Sequence, residues 1–381
     1  MQLARSVPPA TVSVVLPGHR VVSGRPPALP LPSQGAADVE VEGVGQLGGV
    51  RAGAELPLAS VTKLMTALLV LKDHPLALGQ QGPEITVSAA EASAYAADVA
   101  ADDSVVRVAA GERVSEFQAL EALLIPSADN MADILAAWDS GSVARFVQRM
   151  NAQASKLGLR QTHYADPDGL DPASAGSAAD MVRLASYVMA VPVLRHIVAM
   201  PEVTLPLAGT VNNYDTDIGH DGIVGVKTGN TSEAGGNFVF AAQRAVGGRE
   251  FTVLGAVLDQ GGQQPLQAAL DEAERLSASA FSQIREVTVL PAGTSVLRLE
   301  TPWGGRGAAA TERPVDALGV TGEAVRLHAE LTRATSRLRS VKAGQLLANV
   351  AVSFPGGSET VPAVATARVA PASLGWRLGR I

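Results

Sequence analysis

The stretch LPLASVTKLMTALLVLK, residues 56–72, decides how the rest of the chain is interpreted. Its apolar residues lie nearly all round a helical projection, which predicts a buried helix over residues 60–72. Ser60 and Lys63 are three residues apart, so a helix places both side chains on one face. A hydroxyl beside an ammonium group in a buried helix needs a reason beyond packing.

Two interpretations of this pair are open. In the first, the surrounding Leu, Met and Val exclude water and favour the neutral amine of Lys63, which activates Ser60 as a nucleophile without histidine. In the second, Ser60 caps the helix and Lys63 extends to solvent. The spacing alone favours the second interpretation. Lysine usage favours the first, because only five of the 30 basic residues are lysine, and arginine cannot act as a neutral base.

The composition limits the classes of function. The chain has 381 residues, 47% apolar and 18% charged, as expected for two or three well-packed domains. Its formal net charge of -7 argues against nucleic-acid binding, for which a basic surface is typical. Cysteine is absent and the six histidines form no zinc-binding motif, so we expect no metal and no cofactor.

Hydrophobic patterning predicts an α+β fold followed by a smaller all-β domain. Residues 1–36, rich in Pro, Gly and Ser, predict an irregular arm. Residues 37–285 mix helices and strands, and GIVGVKTG, NFVFAAQRA and REFTVLGAVLD predict an antiparallel sheet packed with helices. Residues 286–381 alternate apolar and polar residues between Gly and Pro turns, which predicts the β-rich domain.

Three segments between residues 89 and 126 receive local predictions. SEFQALEALLI is predicted as a helix with Ser115 as N-cap, ended by Pro126. SVVRVAAGERV, residues 104–114, is predicted as a strand. The Ala/Asp-rich stretch before it is polar and gives no regular element.

Two further segments supply polar groups. Ser127, in LLIPSADNMADILA, follows a helix break, where a hydroxyl can point into a cleft. On the predicted strand GIVGVKTG, Lys227 would hold an anionic carboxylate, Thr228 would hydrogen-bond to it, and Gly229 would let a substrate backbone approach. An edge strand with a surface lysine is the plainer alternative. The order of the three segments along the chain is what points to one site.

In this order the segments resemble those of the serine D-alanyl-D-alanine carboxypeptidases, the low-molecular-mass penicillin-binding proteins. LASVTKLMTALLVL, the segment 150–185 and DGIVGVKTGNTSEAG carry the resemblance, which covers about residues 37–260. It implies a penicillin-binding-protein/β-lactamase-like fold. It also implies removal of the terminal D-alanine from peptidoglycan stem peptides ending in D-Ala-D-Ala, and acylation by β-lactam antibiotics.

The resemblance also implies catalytic roles. Ser60 would attack the carbonyl between the two D-alanines and form an acyl-enzyme. Lys63 would take the proton of Ser60, and Ser127 would relay a proton to the leaving amine with Lys227 nearby.

Substrate binding would involve neighbouring residues. Lys227 and Thr228 would bind the terminal carboxylate, and the backbone N–H groups of Ser60 and Asn230 would form the oxyanion hole. The predicted substrate-binding set is Asp129, Asn130, Thr228, Gly229 and Asn230.

One departure from the family pattern concerns Asp129. The family's second motif is usually Ser-x-Asn, whereas this chain has Ser127-Ala128-Asp129-Asn130. An ionised Asp129 beside Lys63 would favour the charged lysine and oppose its role as a base. Asn130 could shift into place, Asp129 could be tolerated and paired with a lysine, or activity could be impaired; we expect reduced or atypical activity.

Two other functions stay open. A β-lactamase or esterase could share the scaffold, but the chain lacks the Glu-x-x-Leu-Asn motif of class A β-lactamases. A non-catalytic cell-wall-binding homologue is the other, with Asp129 as its best support. The resemblance implies an extracytoplasmic, cell-envelope location. We therefore expect a signal peptide and a membrane anchor in segments absent from this chain.

Overall fold

The computed structural model describes residues 6–22, 28–320, 322, 324–354 and 357–379. The chain divides into two compact units, which are described separately. The larger unit comprises residues 28–282 and contains every predicted site residue. The smaller unit combines residues up to 27 with residues from 283 onward.

A five-stranded antiparallel sheet is the centre of the larger unit. Its strands are β3 (Ala36–Val41), β4 (Gly45–Val50), β11 (Ile223–Thr231), β12 (Gly235–Val246) and β13 (Arg249–Gln260). They lie in the order β11-β12-β13-β3-β4, so β11 is an edge strand. The unit also has three two-stranded ribbons: β5 (Leu56–Pro57) with β8 (Ala175–Gly176), β6 (Glu84–Thr86) with β7 (Arg113–Ser115), and β9 (Glu202–Leu205) with β10 (Gly209–Asn212).

Helices form the rest of the larger unit. They are α1 (Lys63–Asp73), α2 (Ala89–Ala100), α3 (Glu116–Leu124), α4 (Asp129–Ser140), α5 (Val143–Leu157), α6 (Ala178–Ala190), α7 (Pro192–Val198) and α8 (Pro265–Gln283). A short 3-10 helix, Ala59–Thr62, leads into α1. Every residue of α1 from Lys63 to Leu71 is buried, which agrees with its apolar surface on all sides.

The smaller unit is built on a seven-stranded sheet in the order β1-β15-β16-β20-β19-β18-β2. These strands are β1 (Thr11–Val14), β2 (His19–Val21), β15 (Ser295–Glu300), β16 (Arg306–Thr311), β18 (Ala324–Leu331), β19 (Leu346–Phe354) and β20 (Gly357–Ala365). A ribbon of β14 (Arg285–Leu290) and β17 (Val315–Gly319), a 3-10 turn (Thr335–Arg337) and the short helix α9 (Leu374–Leu378) complete it. A separate apolar core, which includes Leu297, Val325 and Val350, lies within this unit.

The predicted irregular arm differs from the structure. Residues 1–5 and 23–27 of that arm lie outside the described residues. Within the rest, β1 and β2 pair with β15 and β18 at opposite edges of the smaller unit's sheet. Both strands are short and mostly exposed, so their apolar pattern is weak and only distant partners define them.

Two predictions between residues 89 and 114 are also corrected. The Ala/Asp-rich stretch forms α2, which Ser88 and Glu91 begin with a capping box. The strand predicted over residues 104–114 is limited to β7 at its end. Among the described residues, no single helix is long and apolar enough to cross a membrane; α6 and α7 reach that length only as a pair bent by 108°.

Candidate active site

Ser60 lies in the 3-10 helix that precedes α1, not at the start of the α-helix itself. A 3-10 helix has three residues per turn, so residues i and i+3 eclipse each other, and Ser60 stands directly over Lys63. Neither this turn nor α1 has a side-chain cap, which removes the interpretation of Ser60 as an N-cap. Ala59 has a φ of 48°, a strained value for a residue with a side chain.

Lys63 is fully buried and surrounded by oxygen atoms. Its Nζ lies 2.7 Å from Ser60 Oγ, 2.5 Å from Asp129 Oδ1 and 3.0 Å from the carbonyl oxygen of Asp168. The side chain of Lys63 is 0% exposed and that of Asp129 is 7% exposed. Lys63 therefore does not extend to solvent, and the structure brings the predicted nucleophile and base into direct contact.

The pairing of Asp129 and Lys63 decides between the arrangements left open by the sequence. The second carboxylate oxygen of Asp129 accepts a hydrogen bond from the Ser104 N–H at 3.0 Å. Asn130 faces elsewhere, since its side-chain amide bonds both the N–H (3.2 Å) and the carbonyl oxygen (2.8 Å) of Val106. Asn130 thus holds the segment before β7 and does not replace Asp129 beside the lysine.

Ser127 occupies a strained turn at the entrance to α4. Its φ is 61°, in the left-handed region that residues with side chains seldom adopt. The residue is 3% exposed, and its Oγ has no hydrogen-bond partner among the described residues. A buried hydroxyl without a partner, on a strained backbone, is typical of a functional position.

Lys227 and Thr228 are buried on β11 although this strand is at the edge of the sheet. The alternative of a surface lysine is therefore wrong. Lys227 Nζ donates a hydrogen bond to the Thr228 carbonyl oxygen at 3.1 Å. Burial, together with the nearby charge of Lys63, lowers the pKa of Lys227 to about 7, against the opposing effect of Asp129 and Asp215.

Gly229 lacks a side chain because another segment of the chain packs closely against it, and not because space is left there for a substrate. A Cβ at this position would lie 2.9 Å from the Leu58 carbonyl oxygen and 3.1 Å from the Ser60 nitrogen. The absence of a side chain therefore lets the turn that carries Ser60 approach β11. Asn230, the next residue on the strand, is exposed.

Asn237 is a site residue that the sequence analysis missed. It is fully buried on β12, directly opposite Gly229, and its amide donates to the carbonyl oxygens of Pro57 and Leu58, both at 3.0 Å. These bonds fasten the segment before Ser60 to the sheet. A polar residue inside the apolar run NFVFAA is the signal in the sequence that could have found it.

The loop between α5 and β8 packs against the turn that carries Ser60. Gly169, with a φ of 93°, packs against Ala59, and a Cβ there would overlap the Ala59 carbonyl oxygen. Burial raises the pKa of the Asp168 side chain to about 8, partly opposed by Lys63. The sequence analysis assigned this loop to the family resemblance but did not place the Asp168 carbonyl on Lys63.

Asp215, in the loop before β11, was also missed. It is 3% exposed, and its Oδ2 has no hydrogen-bond partner among the described residues. Burial raises its pKa to about 7, and the charges of Asp215 and Lys227 influence each other.

These features define a class of site. A half-buried serine contacts a buried lysine at the start of a helix, and a second buried lysine lies on the adjacent edge strand. Such a pair can generate a serine nucleophile for acyl transfer without histidine or metal. The class is thus that of a serine paired with a buried lysine, beside a lysine-bearing edge strand on an α+β scaffold.

The chain belongs to the D-alanyl-D-alanine carboxypeptidase family, whose sequence profile matches residues 50–260. A D-alanyl-D-alanine carboxypeptidase of Streptomyces sp. is 34% identical over 217 residues, 52% of this chain and 71% of the relative. One of Mycobacterium tuberculosis is 34% identical over 204 residues, 52% of this chain and 65% of the relative. The predicted family and enzyme class are confirmed.

Solved structures agree with the predicted fold class. The crystal structure of a Streptomyces DD-transpeptidase superposes with a TM-score of 0.58 and 28% identity, covering 67% of this chain and all of the other. The D-alanyl-D-alanine carboxypeptidase DacD of Francisella tularensis gives a TM-score of 0.62 over 91% of this chain and 96% of the other. At 20% identity, the second likeness supports the fold alone.

Proposed function

We propose that this chain removes the terminal D-alanine from peptidoglycan stem peptides through an acyl-enzyme on Ser60. The observation that carries the proposal is the contact between Ser60 Oγ and the fully buried Nζ of Lys63, at 2.7 Å. Ser60 attacks the carbonyl carbon between the two D-alanines, and its proton passes to Lys63. Water then hydrolyses the ester.

The remaining groups have roles that fit their positions. Lys227 and Thr228, side by side on β11, bind the terminal carboxylate of the substrate. The N–H groups of Ser60 and Asn230 stabilise the oxyanion, and Gly229 allows the Ser60 turn to lie close enough to the strand for both to act. The unpartnered hydroxyl of Ser127 passes a proton to the leaving amine.

β-Lactam antibiotics are proposed as ligands of the same site, because they present an acylating carbonyl beside a carboxylate. Incubation with benzylpenicillin followed by intact-mass spectrometry tests this. The native chain should gain the mass of one penicillin, and Ser60→Ala should gain none. An unmodified native chain at high penicillin concentration would contradict the proposal and favour a non-catalytic cell-wall-binding protein.

A catalytically impaired homologue is the second candidate, and the Lys63–Asp129 ion pair favours it. A β-lactamase or esterase on the same scaffold is the third. The fate of the adduct separates these functions: prompt loss of the penicilloyl group indicates a β-lactamase, whereas a long-lived adduct with release of D-alanine from a D-Ala-D-Ala peptide indicates the carboxypeptidase.

The proposed location is the cell envelope outside the cytoplasmic membrane, where peptidoglycan lies. Membrane association through segments outside this chain is part of the proposal, and fractionation of cells that produce the full-length protein tests it. The smaller unit is compatible with a spacer or with a docking module for a partner.

A further inference from the structure

The three contacts of Lys63 determine which hydrogen bonds its ammonium form and its neutral amine form can make. An ammonium group has three N–H donors, and the structure supplies three oxygen atoms, those of Ser60, Asp129 and the Asp168 carbonyl. A carbonyl and an ionised carboxylate accept hydrogen bonds but cannot donate them. The neutral amine therefore spends two N–H groups on these two acceptors, and its lone pair faces Ser60.

The two protonation states of Lys63 differ in net charge. With Lys63 as ammonium and Asp129 as carboxylate, the buried pair is neutral. With Lys63 neutral, the carboxylate of Asp129 has no counter-charge and keeps only the hydrogen bonds from the Ser104 N–H and from one N–H of the amine. Breaking a buried ion pair by removing one charge is strongly unfavourable, so the ion pair is the resting state of the site.

We propose that Asp129 holds Lys63 as an ammonium ion in the resting site, so that acylation of Ser60 requires one proton to leave the Lys63–Asp129 pair. This inference rests on the proposed function. Asp129 acts through Lys63 and is a positioning residue that sets the pH dependence of the reaction.

The proposed step is balanced in protons and electrons. Once the pair has lost a proton to solvent, Ser60 Oγ forms a bond to the carbonyl carbon, and the carbonyl π electrons move onto its oxygen. The Ser60 proton passes to the lone pair of Lys63, which restores the ammonium–carboxylate pair. When the C–N bond breaks, the electrons on the oxygen re-form the carbonyl, the bonding pair leaves with the nitrogen, and the nitrogen takes one proton from the site.

Other charged groups surround the pair and have to be separated from Asp129 in any test. Those that interact with the pair directly are Asp103 after α2, Asp133 on α4, Asp168 before β8 and Lys227 on β11; Asp98, Asp102, Asp166 and Asp215 interact in turn with members of this group. Asp133 is exposed on α4 and interacts with Lys63 without a hydrogen bond to it. Asp133 is therefore the matched control, because it removes one nearby negative charge but no contact.

The experiment measures the first-order rate constant for acylation at saturating benzylpenicillin, so that binding through Lys227 does not enter, between about pH 5.5 and 9.5, using quenched samples and intact mass. The native chain, Asp129→Asn and Asp133→Asn are compared. For the native chain the rate constant should rise with pH, about tenfold per unit. Because Asp129→Asn removes the carboxylate that pairs with the ammonium form of Lys63, the rise in this variant should begin at lower pH than in the native chain. Near pH 7, Asp129→Asn should be acylated at least about tenfold faster, and Asp133→Asn less than about threefold faster.

Three results would overturn the inference: coincident profiles for the native chain and Asp129→Asn, an equal displacement in Asp133→Asn, or loss of acylation in a folded Asp129→Asn at every pH. If Asp129→Asn does not fold, the pH dependence of the acylation rate constant of the native chain tests the inference. A rate constant that rises about tenfold per pH unit above pH 7 supports the inference, and one that is flat from pH 6 to 9 overturns it. Absence of an adduct at every pH is a different failure, that of the proposed function.

Discussion

Lys63 and Lys227 are equally buried and yet differently surrounded. Lys63 has three oxygen partners, one of them a carboxylate, whereas Lys227 donates to the carbonyl oxygen of the next residue. Burial and the nearby charge of Lys63 lower the pKa of Lys227 to about 7, and Asp129 and Asp215 offset this only in part. The comparison teaches that partners, rather than burial, decide what a buried lysine does. The chain itself supplies Lys63 with acceptors, whereas in the proposed function the anion of Lys227 is the substrate carboxylate.

The largest expected effect comes from replacing Lys63 by arginine. Arginine keeps the positive charge and a partner for Asp129 but cannot lose its proton. We expect the rate constant for acylation by benzylpenicillin to fall by at least about a thousandfold, the scale of lost general-base catalysis. Lys72→Arg is the control on the same helix, because its Nζ bonds Gln153 outside the site. Acylation of Lys63→Arg at the native rate would show that Lys63 is not the base.

A smaller effect is expected from the titration of Lys227. Because its pKa is lowered to about 7, Lys227 is charged below pH 7 and loses its attraction for a carboxylate as the pH rises. The KM for a D-Ala-D-Ala peptide should therefore increase above pH 7, by up to about tenfold per unit.

Lys227→Arg separates charge from shape in this prediction, since arginine stays charged throughout the range. Its KM should be nearly independent of pH between 6 and 9, whatever its absolute value. A native KM that does not change over this range would mean that Lys227 keeps its charge, and the contrast with Lys63 would disappear.

The smallest expected effect concerns Glu116, which lies outside the site. It is buried and has no hydrogen-bond partner for its carboxylate among the described residues. Burial raises its pKa from 4.5 to about 7. The unfolded state ionises first, so stability falls as the pH rises from 4.5 to 7. Glu116→Gln should increase the free energy of unfolding by about 3 kcal/mol at pH 8 and by much less at pH 4.5. Urea denaturation at both pH values measures this, with the exposed Glu55→Gln as control. Equal effects at both values would mean that Glu116 ionises normally.

The parts of the fold that short-range patterns define were predicted well. The apolar runs of β11, β12 and β13 and the Ser115 capping box of α3 depend on neighbours in sequence. The segment around Ser104 was wrongly predicted as a strand. Its apolar alternation is real, but the side chains of Asp129 and Asn130, not a neighbouring strand, bind its backbone.

The same distinction applies to the site. Ser60 and Lys63 were found because their spacing and the rarity of lysine are visible in one segment. Asn237 and Asp168 were not found, since each acts on a segment more than 100 residues away. A polar residue in an apolar run, such as Asn237, indicates that a buried partner is needed, but the partner is identified only when the two segments meet.

The placement of β1 and β2 has a consequence for how the chain folds. Thr11 pairs with Glu300 and His19 pairs with Arg326, so both outer strands of the smaller unit's sheet are synthesised long before their partners. Closing loops of this length is slow and can occur only after residues 300 and 326 have left the ribosome. Residues 28–282, which lie between these partners, have all their own strands much earlier. A fragment that starts at residue 283 would lack β1 and β2 and expose the edges of β15 and β18, an arrangement that promotes edge-to-edge aggregation.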